Sequence, residues 1–125
     1  MAEIDPAGAP EVVFRDGLAE GELRYQRCRA CSTAVFQPRV LCTGCGSDDL
    51  SWERSSGRGT VYSTTAVRGR GGAHNVALVD LDEGFRMMSR VDDIDPGSVG
   101  IGMRVAFTTV EDNGDPVAVF RKGSA

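Results

Sequence analysis

Through much of the second half of the chain, apolar and polar positions alternate with a two-residue period. A run at 60–67, opened by Gly57-Arg58-Gly59, is rich in β-branched and aromatic residues. A Gly-rich stretch at 68–73 reads as a loop. Residues 75–81 are nearly continuous in apolar character, the pattern of a strand buried on both faces. Asp82-Glu83-Gly84 makes a tight turn into 85–91, where Phe85, Met87, Ser89 and Val91 alternate with Arg86, Met88 and Arg90. Asp95-Pro96-Gly97 breaks the chain. Residues 103–110 alternate again, with Met103, Val105 and Phe107 on one face. Asn113-Gly114 is a hairpin signal, and 117–120 completes the set. Five short strands, with a break or helical turn between the third and fourth, predict a small Greek-key barrel of the OB type.

The first half is built differently. Residues 1–9 (MAEIDPAGA) read as loose. A short helix is predicted over 10–18: Pro10 suits its first turn and Glu11 its positive end. Val13, Phe14 and Leu18 form its apolar stripe, and Gly17 and Gly21 limit its length. So short a helix is not stable alone, so it either packs on its own domain or docks on a partner. In 25–52, Tyr25, Phe36, Leu41 and Trp52 are the residues expected to pack around a metal. The predicted organisation is mainly β: an N-terminal arm and helix over 1–24, a ribbon over 25–54 and a five-stranded OB-fold barrel over 55–125.

The ribbon rests on cysteine spacing. The chain's four cysteines fall as Cys28-Arg29-Ala30-Cys31 and Cys42-Thr43-Gly44-Cys45, with ten residues between the pairs and no cysteine left over. Two residues between paired cysteines let the backbone turn once, so both sulfurs face one ion. Cys28, Cys31, Cys42 and Cys45 therefore read as one tetrahedral zinc site. Gly44 and Gly46 lie where the second turn needs small, permissive residues. Two disulfides, or iron in a rubredoxin-like site, are the other chemistries this pattern admits. No signal peptide is evident, so a reducing cytoplasmic setting is expected, with the cysteines as thiolates on a metal. A unit this small needs its ion, and structural zinc contributes on the order of 10 kcal/mol or more to such modules.

Charge narrows the partners. The formal net charge is −4, which argues against nonspecific nucleic-acid binding, since phosphate contacts need an excess of Lys and Arg. No stretch approaches the roughly 20 apolar residues of a membrane span. Neither nucleic acid nor membrane is an expected partner.

The runs Leu23–Cys31 (LRYQRCRAC), Phe36-Gln37-Pro38-Arg39 and Cys42–Ser47 (CTGCGS), with Ser56–Ser63 (SGRGTVYS) and Ile101-Gly102-Met103-Arg104-Val105, resemble a known family over residues 12–121. It is the thiolase-associated family that joins an N-terminal helix, a rubredoxin-like zinc ribbon and a C-terminal OB-fold, formerly a domain of unknown function and now associated with acyl-CoA metabolism. Two positions depart from its pattern: Gln37-Pro38-Arg39 replaces the usual Pro-Pro-Arg, and Ser32 stands where Gly is common. The resemblance implies a non-catalytic subunit that docks through ribbon and helix on a thiolase-fold enzyme (a thiolase, an acyltransferase or a side-chain-cleaving aldolase). It also implies a heterotetramer, acyl-CoA at a shared site, a role in lipid metabolism, and in some members a hydratase partner.

The chain shows little chemistry of its own. His74 reads as an exposed loop residue, and the sequence supplies no partner acid for it. Nucleophile-elbow, phosphate-loop and dinucleotide motifs are absent. Arg68-Gly69-Arg70-Gly71-Gly72 lies between strands, without the helix N-terminus of a phosphate cradle. A closed four-thiolate site leaves zinc no open position. No catalytic residue is assigned, and no activity is expected of the chain alone. Arg39, Arg58, Arg68 and Arg70, with Arg54, form a local basic set that could meet CoA phosphates or a partner, since guanidinium pairs with phosphate in bidentate fashion; ordinary surface charge is the plainer reading. Two other functions stay open. One is a single-stranded nucleic-acid binder using Tyr62 and Trp52. The other is a free-standing acyl-CoA carrier or hydrolase.

Overall fold

The computed structural model describes residues 9–36 and 38–123. The expectation of a loose arm at 1–9 therefore falls, but for Ala9, outside the described residues, as does Gln37. The chain divides into two compact units, Met1–Ser56 and Gly57–Ala125.

In the first unit, helix α1 (Pro10–Ala19) begins with Pro10 in its first turn and carries Glu11 there. It ends in a Schellman turn: Gly21 takes φ +77°, and the Glu22 and Gly21 N–H groups donate to the carbonyls of Gly17 and Leu18 at 2.7 and 3.0 Å. Val13, Gly17 and Leu18 are buried, and the helix packs on its own unit's strand β1 (Arg24–Cys28). Strands β2 (Ala34–Val35) and β3 (Leu50–Arg54) flank β1 in antiparallel register, in the order β2-β1-β3. Phe14 of the helix meets Phe36 edge-on, with ring centroids 5.4 Å apart.

The second unit is a closed OB barrel. Its strands are β4 (Arg58–Gly69), β5 (Gly72–Leu81), β6 (Arg86–Ser89), β7 (Val91–Asp92), β8 (Arg104–Asp112) and β9 (Asp115–Lys122), in the order β6-β5-β4-β8-β9-β7. β6 and β7 are the predicted third strand, bent at Arg90. The bend lets it leave β5 and pair in parallel with β9, which closes the sheet. A 3-10 turn (Pro96–Ser98) fills the predicted break before β8. Val61, Ala77, Val79, Leu81, Met87, Val105, Val119 and Phe120 form the core.

The matched motifs have physical reasons here. A Cβ on Gly59 would stand 2.8 Å from the Asp80 carbonyl, and Gly57 holds φ +79° while its carbonyl accepts the Phe107 N–H at 2.7 Å. Gly102, at φ +88°, donates to the Val61 carbonyl (2.8 Å) while Val61 donates to Met103 (2.9 Å). Gly57-Arg58-Gly59 and Ile101-Gly102-Met103 thus seat the first and fourth barrel strands.

Three expectations are corrected. The Gly-rich 68–73 is not an open loop: β4 and β5 stay paired out to Gly69↔Gly72, leaving only Arg70 and Gly71 to turn. β5 is not buried on both faces. Asn75, Ala77, Val79 and Leu81 point inward, while Val76, Leu78 and Asp80 are half-covered on the other side. Leu41 is exposed. Val35 and Leu50 are the apolar residues beside Cys28 and Cys42.

Candidate metal centre

β1 ends on Cys28, opposite Leu50 of β3. Past it the chain makes two near-identical turns. In the first, the Cys28 N–H donates to the Thr33 carbonyl (2.9 Å) and the Ser32 N–H to the Cys28 carbonyl (2.8 Å). In the second, Cys42 donates to Ser47 (2.8 Å) and Gly46 to Cys42 (3.0 Å). Each turn places the residue after its second cysteine in the left-handed region, Ser32 at φ 65° and Gly46 at φ 78°. Glycine adopts this freely, whereas serine costs roughly 1 kcal/mol. Gly44 is small for another reason: a Cβ there would lie 2.9 Å from Thr33 Oγ1 and 3.6 Å from two cysteine sulfurs.

The four sulfurs lie within 4.8 Å of one another. Cys28–Cys45 and Cys31–Cys42 are each 3.6 Å apart. Zinc bonded to sulfur at about 2.3 Å makes a tetrahedron with edges of about 3.8 Å, so the donor set fits that ion. A disulfide needs about 2.05 Å, and all four cysteines are free. Cys28 and Cys42 are buried, Cys31 and Cys45 exposed.

The Thr33 hydroxyl, then its backbone, lower the Cys31 thiol to about 6. The backbone N–H groups of Cys45 and Gly44 lower Cys42 against the opposing effect of burial. Cys45 is driven the other way, to about 12: the Ser47 backbone is the largest influence and pulls it down, but Cys31, Cys28, burial and Cys42 together outweigh it. Sulfurs this close compete for protons, and all four become thiolates only around a cation.

The arginines are scattered. Arg39 is exposed, its backbone clamped by the buried Gln26 amide, which donates to the Arg39 carbonyl and accepts its N–H, both at 2.8 Å. Arg58 opens β4. Arg68 lies ten residues further along that strand, about 30 Å at 3.3 Å per residue, with Arg70 in the turn beyond it. Arg58 and the Arg68/Arg70 pair are therefore at opposite ends of the β4–β5 hairpin. Arg54 is taken up by Glu22, with Nε 2.6 Å from Oε2. His74 is exposed and cross-strand from Val67.

Two structural residues were not foreseen. Arg24, buried, donates through Nη1 to the Val13 carbonyl (3.0 Å), through Nε to Glu22 (2.9 Å) and through Nη2 to Glu20 (2.8 Å), tying α1 to β1. Asn75, also buried, accepts the Val91 N–H (3.0 Å) and donates to Thr64 Oγ1 (2.6 Å), replacing the ladder where the third barrel strand bends away. Among the described residues no helix is long and apolar enough to cross a membrane.

A four-cysteine ribbon followed by a closed OB barrel defines the class: a zinc-ribbon and OB-fold protein. Residues 15–51 match the family described as "ChsH2, rubredoxin-like zinc ribbon domain", and residues 52–110 the one described as "ChsH2, C-terminal OB-fold domain". A DUF35 domain-containing scaffold protein of Methanocaldococcus jannaschii is 30% identical over 98 residues, 71% of this chain and 70% of that protein. The 3-oxo-4,17-pregnadiene-20-carboxyl-CoA hydratase alpha subunit of Mycobacterium tuberculosis is 37% identical over 109 residues, 78% of this chain. The chain spans about a third of the length of the hydratase alpha subunits it matches (32% and 33%). A solved structure described as "Ltp2-ChsH2(DUF35) aldolase" superposes with a TM-score of 0.81 at 31% identity, covering 94% of this chain and 98% of that one. The chain belongs to the ChsH2/DUF35 family.

Proposed function

We propose that this chain is the non-catalytic accessory subunit of a thiolase-fold enzyme acting on acyl-CoA. The observation that carries the reading is the likeness, across nearly both whole chains, to a protein whose structure is described as part of an aldolase. The absence of a nucleophile–base pair in the sequence is consistent with reactive groups held by the other subunit.

In this reading Cys28, Cys31, Cys42 and Cys45 hold one structural Zn²⁺. The ion supplies no chemistry to substrate, since four sulfurs complete its shell; it fixes the two turns. The arm and helix of 1–24 and the ribbon of 25–54 dock on the enzyme, and the barrel of 55–125 helps shape the CoA site. Arg39 and Arg58 are the residues we assign to CoA phosphates. Arg68 and Arg70, a strand's length from Arg58, we assign to the partner. Two of these chains on an enzyme dimer give a heterotetramer, working in the cytoplasm on lipid-derived acyl-CoA. The likeness to hydratase alpha subunits supports a hydratase as a further partner.

The test is turnover of acyl-CoA by the purified enzyme subunit with and without this chain. The reading expects activity to appear only with both subunits and to fall when the ribbon loses its metal. Full activity of the enzyme alone would overturn it.

A further inference from the structure

The β4–β5 hairpin extends well beyond its neighbouring strands. It pairs with β8 only through Arg58–Thr60 and with β6 only through Ala77–Asp80. Beyond those rungs and the Val61 bonds to Gly102 and Met103, it runs on as a two-stranded ribbon that no other strand among the described residues pairs with, and every residue from 65 to 74 is exposed. A lone two-stranded ribbon is marginally stable in water, and open edges invite another chain.

The sheet face leading to this arm is unusual for a solvated surface. A one-residue irregularity in β4 between Val61 and Ser63 turns Tyr62 outward, 51% exposed. The Arg86 guanidinium lies over its ring, 3.4 Å from the centroid. Asp80, cross-strand from Arg86, holds that guanidinium through both carboxylate oxygens (2.5 and 3.2 Å). Beside this stack Leu78 faces Met88, 70% exposed, and Val76 and Val67 continue the apolar face along the arm. Exposed Tyr and Arg are enriched at the energetic centres of protein interfaces, and Met is enriched in interfaces generally.

Charge specifies what covers it. Between Arg54 and Val79 the sequence has no carboxylate, although the chain's net charge is −4. Asp80, a carboxylate of this face, is paired with Arg86, and the face ends in Arg68 and Arg70, which form no salt bridge among the described residues. A second copy meeting it through the same face would bring the same basic border and gain no charge match. A single-stranded oligonucleotide needs bare aromatic platforms, yet Arg86 already covers one side of the Tyr62 ring. The other hairpin tip, between β8 and β9, carries Glu111, Asp112 and Asp115.

We propose that the outer face of β4–β5–β6, with the arginine tip of its hairpin, docks on an acidic-rimmed apolar patch of the enzyme subunit, a second contact besides ribbon and helix. This rests on the accessory-subunit reading above. The experiment is affinity recovery of the thiolase-fold subunit from the protein's own cells by the tagged full chain. Wild type is compared with Met88→Glu, with Arg68→Glu/Arg70→Glu, and with Glu111→Lys/Asp112→Lys as a charge change of equal size and opposite sign at the other hairpin tip. Recovery is expected to fall about tenfold or more for the first two and to match wild type for the third, with unchanged far-UV circular dichroism. Equal recovery by all would overturn the docking face and leave the accessory reading intact. No enzyme recovered by wild type would overturn both. Two further results would overturn the inference: a salt-sensitive gel shift of an oligothymidylate lost in Arg68→Glu/Arg70→Glu, or a wild-type homodimer that Met88→Glu makes monomeric.

Discussion

Gly17→Ala separates helix propensity from packing. In an exposed helix interior, alanine stabilises by about 1 kcal/mol over glycine. Here a Cβ on Gly17 would stand 2.5 Å from Arg24 Cδ, 2.7 Å from Cγ and 2.8 Å from Nε, against about 3.5–4.0 Å for an ordinary contact. The Arg24 stem would have to retreat by about 1 Å, and it is buried and pinned at Val13, Glu20 and Glu22. Overpacking costs about 1–3 kcal/mol, and a weakened hydrogen bond to a charged group adds about 1.5–3. Against the gain of about 1, the expected net loss is about 3 kcal/mol. The assay is denaturant unfolding in zinc-replete buffer, followed by Trp52, the chain's one tryptophan, which lies on β3 of this unit. In an Arg24→Ala background the clash is gone, so the same substitution should stabilise by about 1 kcal/mol. Gly17→Ala stabilising the wild-type background, or acting equally in both, would refute the reasoning.

Other outcomes follow from the same geometry. Ser32→Gly relieves a left-handed serine and should raise ribbon stability by about 1 kcal/mol, read by the same Trp52 transition. Stripping zinc with a chelator should unfold the ribbon, shifting Trp52 emission, while the barrel's far-UV signal persists; a cooperative loss of both would contradict separate units. Gly59→Ala, driven against the Asp80 carbonyl, should lower the barrel's stability by about 1–3 kcal/mol or more, measured by thermal unfolding. Burial pushes the Glu22 carboxyl up, but hydrogen bonds from Arg54 and Arg24 outweigh it and hold it below its ordinary 4.5. A depressed folded value stabilises the ionised form, so that contribution is complete above about pH 4.5 and fades on acidification. Glu22→Gln should flatten the ribbon's acid dependence relative to wild type, acid-driven metal loss being common to both.

The fold was legible where one residue type answers one constraint. Cysteine spacing announces a tetrahedral site because the turn and the ion leave few alternatives. The two-residue period announced the barrel strands because one face of each is buried. The hairpin reads as a loop because three glycines within 69–72 look like chain breakers, yet those at 69 and 72 sit in paired register, where cross-strand bonds rather than side chains hold the chain. β5 looked buried on both sides because Val76 and Leu78 are apolar; their half-exposure depends on what stacks outside the unit, which periodicity cannot encode. Arg24 resembled any surface arginine, since its burial arises only when Gly17 of the helix comes to rest against it. Asn75 was hidden likewise: its role depends on the bend at Arg90, created by barrel closure.

Affinity purification of the tagged chain from its native cells, with mass spectrometry of bound proteins and metal analysis of the eluate, tests the central claim most directly. The account predicts a stoichiometric thiolase-fold subunit and one zinc per chain. A chain recovered alone as a stable monomer, with or without zinc, would contradict it.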